Sequence, residues 1–213
     1  MKKLYIVGAG GFGREIYGWA MDCPEWDTVW SFAGFLDDAK KPGEEIFKNA
    51  TVVGGIKDYK PQPGELLING IGTMHNKRLI LPNLEAKNCQ FANMIHPTAK
   101  IGRNVNLGKG AVICPFAVLT CDIFIGDFCS INLHATVGHD VEAGNLLQMN
   151  CHSEINGNCK LGDNVFIGGH AFIIQKIQIG NNTVVGAGSV VLRSIKENAT
   201  VFGNPAKLTL PFN

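Results

Sequence analysis

From Ile95 onward, apolar residues recur at every sixth position: Ile95, Ile101, Leu107, Ile113, Leu119, Ile125, Ile131, Val137, Ala143, Met149, Ile155, Leu161, Ile167, Ile173, Ile179, Val185 and Val191. The run holds its phase over 17 positions, 15 of them Ile, Leu or Val. With about half of residues apolar in an average protein, chance yields such a run on the order of once in a hundred thousand. The residue four places further on is mostly small or apolar, as at Ala99, Ala111, Ala117, Cys129, Ala135 and Ala171, and Gly often follows the aliphatic position, as at Gly102, Gly126, Gly138 and Gly168. A period of six fits neither the helical 3.6 nor the strand period of 2. It fits a short strand and a tight corner, repeated, with the aliphatic side chain pointing at a shared axis. Three such sides close a coil of about 18 residues, and coils stack at about 4.8 Å. Residues 95 to roughly 196 therefore predict between five and six coils of a parallel β-helix. The period alone leaves its handedness open.

The pattern before Ile95 is different. An apolar strand at Leu4–Val7 runs into the turn Gly8-Ala9-Gly10-Gly11-Phe12-Gly13 and a helix from about Arg14 to Met21. A second strand is expected over Trp30–Leu36, ending in Asp37-Asp38, and a third apolar run covers Glu65–Ile71. Gly8, Gly10 and Gly13 have the GxGxxG spacing, strand before and helix after, which lets backbone N–H groups approach a diphosphate. Binding of NAD, with Asp37 on a ribose, requires two mononucleotide halves, and about 90 residues supply only one. Half a Rossmann unit holding one nucleotide diphosphate fits the length better. The plainer alternative is a βαβ cap whose glycines serve packing. The expected domains are 1–90 and 91–213.

Composition narrows the function classes. Lys and Arg number 19 against 18 Asp and Glu, with no basic run, which argues against nucleic acid as a partner. The apolar stretch after Met1-Lys2-Lys3 is too short for a signal-peptide core or a membrane span, so a cytoplasmic protein without membrane insertion is expected. Seven cysteines, without a CxxC pair, read as reduced thiols rather than a zinc site.

The hexapeptide pattern resembles the left-handed parallel β-helix of the hexapeptide-repeat acyltransferases. Val185-Gly186-Ala187-Gly188-Ser189-Val190-Val191 and Gly203-Asn204-Pro205-Ala206-Lys207 are similar to that family's closing coil and exit segment. With the Gly8–Gly13 turn, Phe35-Leu36-Asp37-Asp38, Ile71-Gly72 and Val137-Gly138-His139-Asp140, nearly the whole chain resembles the PglD/NeuD-like sugar acyltransferases. The resemblance implies an α/β half-Rossmann domain followed by a left-handed β-helix, and a homotrimer with acetyl-CoA bound between subunits. It also implies a nucleotide-linked amino sugar held by the small domain and no metal.

N-acetylation needs a proton acceptor for the attacking amine and a group to hold the developing oxyanion. Of six histidines, His139 lies two residues after an inward Val137, at an outward corner, and Asp140 follows it. A carboxylate beside an imidazole raises its basicity, although adjacent strand residues usually point apart. Eighteen residues on, at the same corner, Gly157 offers an unobstructed backbone N–H. The resemblance implies His139 as base, Asp140 as its assisting acid and Gly157 at the acyl carbonyl. It further implies Gly169 and Ala187 at acetyl-CoA, and Gln148 there too, where the family has His. For the sugar nucleotide it implies Gly10, Gly11, Phe12, Asp37, Asp38 and Gly72, with Phe12 standing where family members often carry His. His134, His152 and His170, spaced by 18, predict a ladder along one edge that can be a metal site, an interface feature or stacked corner residues. His134 and His139 occupy corners roughly 15 Å apart and cannot chelate together in one chain.

The expected activity is acetyl-CoA-dependent N-acetylation of a nucleotide-linked amino sugar, a UDP-4-amino-4,6-dideoxy sugar being the first choice by family analogy. An O-acetyltransferase of sialic-acid type, a zinc-dependent hydratase and a non-catalytic nucleotide-sugar-binding scaffold are the alternatives.

Overall fold

A computed structural model describes residues 1–209; the last four residues of the expected second domain, 210–213, lie outside the described residues. The chain divides into two compact units, Met1–Met94 and a second that begins at Ile95.

Unit one is a five-stranded sheet with two helices. In chain order its elements are β1 (Lys2–Val7), α1 (Gly11–Met21), β2 (Trp30–Leu36), β3 (Glu45–Phe47), β4 (Ala50–Gly54), β5 (Glu65–Asn69) and α2 (Met74–Ala86). The spatial order is β3-β4-β2-β1-β5, parallel apart from the β3–β4 pair. Central β1 pairs on both sides, so Leu4, Ile6 and Val7 are wholly buried, Ile6 lying between Phe35 and Ile68. Continuous apolar runs mark such strands because both sheet faces are covered. One face carries an aromatic cluster around Tyr17, in contact with Trp26, Phe32, Phe35 and Phe47.

Helix α1 begins at Gly11, three residues before the expected Arg14, and it sits close on the sheet because of two glycines. Gly8 has φ +96°, and a Cβ on Gly13 would lie 1.9 Å from the Gly8 carbonyl oxygen. Helix α2 goes beyond the sequence reading. Its interior Pro82 and polar composition hide a start signal, the N-cap Thr73, whose hydroxyl accepts from Asn76 N, and a buried stripe at Lys77, Leu81 and Leu84. At the base of β5, Glu65 accepts hydrogen bonds from Tyr5 Oη (3.1 Å), Tyr59 Oη (2.7 Å) and Gln62 N (2.9 Å). Burial pushes the Glu65 carboxyl up, and the donors outweigh it, leaving its pKa below the ordinary value.

Unit two is a left-handed parallel β-helix of two- and three-residue strands. They stack into sheets of six, five and eight strands at a constant offset of 18 residues, as in Leu119, Val137, Ile155, Ile173 and Val191. The last sheet closes with Lys207–Thr209 antiparallel to Thr200–Phe202. The aliphatic positions are buried from Ile113 to Val191, while Ile101 and Leu107 are half-buried and Ile95 is 37% exposed. Ile101 and Leu107 still pack against the solenoid core, so the inward phase holds there and only the cover is reduced. A terminal coil has a neighbouring coil on one side only, so its axis residues lose half of their cover.

The corners follow a period of their own. A positive φ recurs every six residues from Asn104 through Phe116, Asp122, His134, Asp140, His152, Asn158, His170 and Asn182 to Gly188. Left-handed backbone costs an L-residue roughly 1–2 kcal/mol. The stacked register offsets it, because corner amides from Asp122 onward find a carbonyl one coil back, as His152 N does on Leu133 O (2.9 Å) and His170 N on Cys151 O (3.1 Å), while Phe116 N donates to Thr98 Oγ1 (3.1 Å). Along one edge Asp127, Asn145, Asp163 and Asn181 form a second ladder, each side-chain oxygen accepting a backbone N–H of the preceding coil at 2.6–2.9 Å. All seven cysteines are free thiols.

Candidate active site

On the β-helix, His139 and Asp140 share a corner, both more than half exposed, with Nδ1 2.7 Å from Asp140 Oδ2. They meet because Asp140 takes the left-handed corner conformation, φ +57°, and so does not alternate away from its neighbour as a strand residue does. A carboxylate can only accept, so Nδ1 carries the proton of this bond, and in the neutral imidazole Nε2 then presents its lone pair. The imidazole lies over Gly157 of the next coil: a Cβ there would stand 2.6 Å from Nε2 and 2.7 Å from Cε1. Gly157 is therefore required by the ring itself, a reason that spacing alone does not reveal. Its carbonyl accepts from Lys176 N at 3.0 Å, while its own N–H has no protein acceptor among the described residues.

Gly169 and Ala187 stack at a different corner, one side of the coil away. Gly169 is half-buried and Ala187 exposed. Gln148 stands apart from both, on the strand Gln148–Met149 between Ser130 and Phe166, with 7% exposure. At the Gly169 corner the rings of Phe116, His134, His152 and His170 stack, with centroids 5.0, 4.8 and 4.8 Å apart and interplanar angles of 13°, 4° and 10°. Parallel rings point their nitrogens side by side, which does not converge them on one ion. Among the described residues no group of three or more His, Cys, Asp or Glu is placed to hold a metal.

In unit one, Gly10 and Gly11 open α1 without a side-chain cap, and among the described residues a Cβ at either meets nothing within 4 Å. These two glycines leave the helix N-terminus uncovered, whereas Gly8 and Gly13 serve packing. Phe12 is half-buried against Trp19 (6.5 Å between ring centroids) and beside Gly72, whose added Cβ would lie 3.2 Å from Phe12 Cβ. Asp37 braces the turn: Oδ2 accepts from Ala9 N and Oδ1 from Ala39 N, both at 2.8 Å. Asp38 accepts from Lys57 N at 3.0 Å and borders a cavity of about 260 Å³ with Ile56, Asn76, Ile80 and Lys87. Sequence reasoning missed Lys77, which is fully buried with Nζ 5.8 Å from the Phe12 ring centroid. Its only signal is its place on the Leu81–Leu84 stripe of a helix that was itself not foreseen.

Family models match both units: the PglD N-terminal domain over residues 3–84, and the bacterial transferase hexapeptide (six repeats) over residues 158–193. Both units thus resemble the PglD-like sugar acetyltransferases with hexapeptide repeats. Solved structures similar to this PglD-like chain span its whole length. WeeI from Acinetobacter baumannii AYE is 28% identical over 98% of this chain and 100% of its own, with a TM-score of 0.88. The acetyltransferase domain of PglB from Neisseria gonorrhoeae FA1090, in complex with acetyl coenzyme A, is 27% identical over 98% and 99%, with a TM-score of 0.86. PerB from Caulobacter crescentus, in complex with CoA and GDP-perosamine, is 26% identical over 98% of each chain, with a TM-score of 0.85. No curated protein matches the chain significantly. No helix of the described residues is long and apolar enough to cross a membrane.

Proposed function

We propose that this PglD-like chain transfers the acetyl group of acetyl-CoA to the amine of a nucleotide-linked amino sugar, with His139 as general base. The observation that carries the reading is the His139–Asp140 pair set over Gly157. Nδ1–H donates to the Asp140 carboxylate, so Nε2 takes the proton as the amine nitrogen attacks the thioester carbon. The carboxylate stabilises the imidazolium so formed. Gly157 N–H holds the oxygen that gains charge. Collapse of the tetrahedral adduct breaks the C–S bond, and the thiolate takes the proton from His139 to leave as CoA. No covalent enzyme intermediate is formed.

The nucleotide diphosphate belongs at the open Gly10–Gly11 end of α1, where backbone amides and the helix dipole favour an anion. Phe12, Asp37, Asp38 and Gly72 complete this site. Acetyl-CoA lies along the Gly169–Ala187 corner, with Gln148 on the strand below it. That corner and the His139 corner are roughly 15 Å apart within one chain, and neighbouring copies side by side would bring one corner of each kind together. A homotrimer, each interface pairing one corner of each kind, is the assembly that follows. Relatives support the reading: the PglB domain binds acetyl coenzyme A, PerB binds CoA and GDP-perosamine, and a single histidine was replaced in two further structures of the Caulobacter N-acetyltransferase. Free thiols throughout suit a cytoplasmic setting.

Calorimetric titration of acetyl-CoA, then of UDP-, dTDP- and GDP-linked amino sugars, tests this directly, with the UDP-4-amino-4,6-dideoxy sugar first. Binding of both ligands and release of CoA thiol on mixing is the expected result. Sugar binding without affinity for CoA would establish the scaffold instead.

A further inference from the structure

Lys77 is wholly buried, on a stripe of α2 whose other members are Leu81 and Leu84. An ammonium is costly to bury, and a cation in the first turn of a helix works against the helix dipole. Lys77 stands in that turn, its backbone N–H donating to the carbonyl of the N-cap Thr73 at 3.0 Å. A second helix start lies beside it. Nζ is 5.8 Å from the ring centroid of Phe12, the second residue of α1, and Gly72, which precedes Thr73, backs onto the Cβ of Phe12. The two starts meet because β1 and β5 are parallel neighbours, Val7 pairing with Asn69. In the order β3-β4-β2-β1-β5 the chain changes direction between these two strands, which is where open α/β sheets bind ligands. At the same edge Asn69 is wholly buried. Its Oδ1 accepts from Ile71 N at 3.0 Å, and its Nδ2 has no acceptor among the described residues. Gly10, Gly11 and Gly72 are exposed there. The edge thus gathers a buried cation, two helix N-termini and a spare amide donor, all of which favour a negative charge.

We propose that Lys77 is the buried counter-charge of the substrate's diphosphate. The inference rests on the reading that the diphosphate lies at the Gly10–Gly11 end of α1, and adds to it a residue that acts from below the surface. Lys77 is a positioning residue: its field reaches the diphosphate through protein rather than water, where a charge is screened little. Phe12 holds the ammonium against its ring face and keeps water from it. A neutral nucleoside gains nothing from that field.

The test compares UDP with uridine, and dTDP and GDP with their own nucleosides, in calorimetric titrations of the full-length protein. Lys77→Gln keeps a hydrogen-bond donor and removes the charge. It should weaken the diphosphate on the order of tenfold, the effect of one charge across about 10 Å at an effective dielectric constant of about 20, and leave the nucleoside unchanged. The deficit should persist in high salt, because a buried charge is screened much less than a surface one. Lys77→Arg keeps the charge and should hold most of the wild-type affinity. With the amino-sugar nucleotide as substrate, Lys77→Gln should raise KM and leave kcat as it is. If Lys77→Gln binds the diphosphate as wild type does, or loses diphosphate and nucleoside together, Lys77 serves the fold alone; the proposal is then overturned while the acetyltransferase reading stands. A loss in Lys77→Arg equal to that in Lys77→Gln would overturn it as well. Wild-type protein that binds nucleoside and diphosphate equally, or neither, would overturn both the proposal and the placing of the diphosphate at α1.

Discussion

His139 is legible in the sequence through its neighbour Asp140, but the contact between them is not. Alternation along a strand turns adjacent side chains apart, and only the left-handed φ of Asp140 brings its carboxylate 2.7 Å from Nδ1. Replacing His139 by Ala should lower kcat by about 10²–10⁴-fold and leave CoA affinity intact; steady-state kinetics beside calorimetry separates the two effects. Asp140→Asn keeps the shape and loses the charge, for an expected fall in kcat of roughly tenfold. Gly157 gives the sharper test. A methyl there would sit 2.6 Å from Nε2, so Gly157→Ala must displace the imidazole and should match His139→Ala in kcat at an unchanged melting temperature. If Gly157 contributed only an N–H, the Ala variant would keep most of its rate.

At the level of elements, the glycine turn separates into two kinds of residue that look alike in the sequence. Gly13→Ala drives a Cβ to 1.9 Å from the Gly8 carbonyl and should destabilise unit one by about 1–3 kcal/mol or more. Gly10→Ala meets nothing and should change stability by less than about 0.5 kcal/mol, while weakening the nucleotide sugar; denaturant unfolding and ligand titration of both variants check this. Glu65 ties β5 to Tyr5 and Tyr59, and its pKa is lowered in the folded state. A depressed carboxylate stabilises above its unfolded pKa, and the contribution fades as pH falls through the folded one. Glu65→Gln should therefore cost about 1–2 kcal/mol near neutral pH, and its melting curve should converge on wild type in acid. The strands of unit one were legible because runs buried on both faces are continuous. Helix α2 was not, because Pro82 interrupts the pattern and its buried stripe includes a lysine.

For the molecule as a whole, two corners carry the candidate chemistry, and within one chain they are a coil side apart. Sedimentation equilibrium should report a mass about three times the 23.0 kDa chain. Inactive His139→Ala chains mixed with inactive Ala187→Trp chains by co-expression should regain part of the wild-type rate, because some interfaces then combine two intact corners. Recovery at background level would place the whole site in one chain.

The hexapeptide phase determined the solenoid by itself, since a repeat held over 17 positions admits one stacking register. The GxGxxG turn between strand and helix likewise announced the βαβ start of unit one. Only the tertiary structure decided which residues meet. Corner conformation is set by hydrogen bonds from the coil behind, as with His152 N on Leu133 O, and the sequence there ranges over Asn, Asp, His, Phe, Leu and Lys without a common signature. The imidazole over Gly157, the ring ladder that stops at Gly188 and the aspartate that braces the glycine turn all depend on contacts 18 or more residues apart. Local patterning fixes the periods of a chain, and the stacking of those periods in space fixes its chemistry.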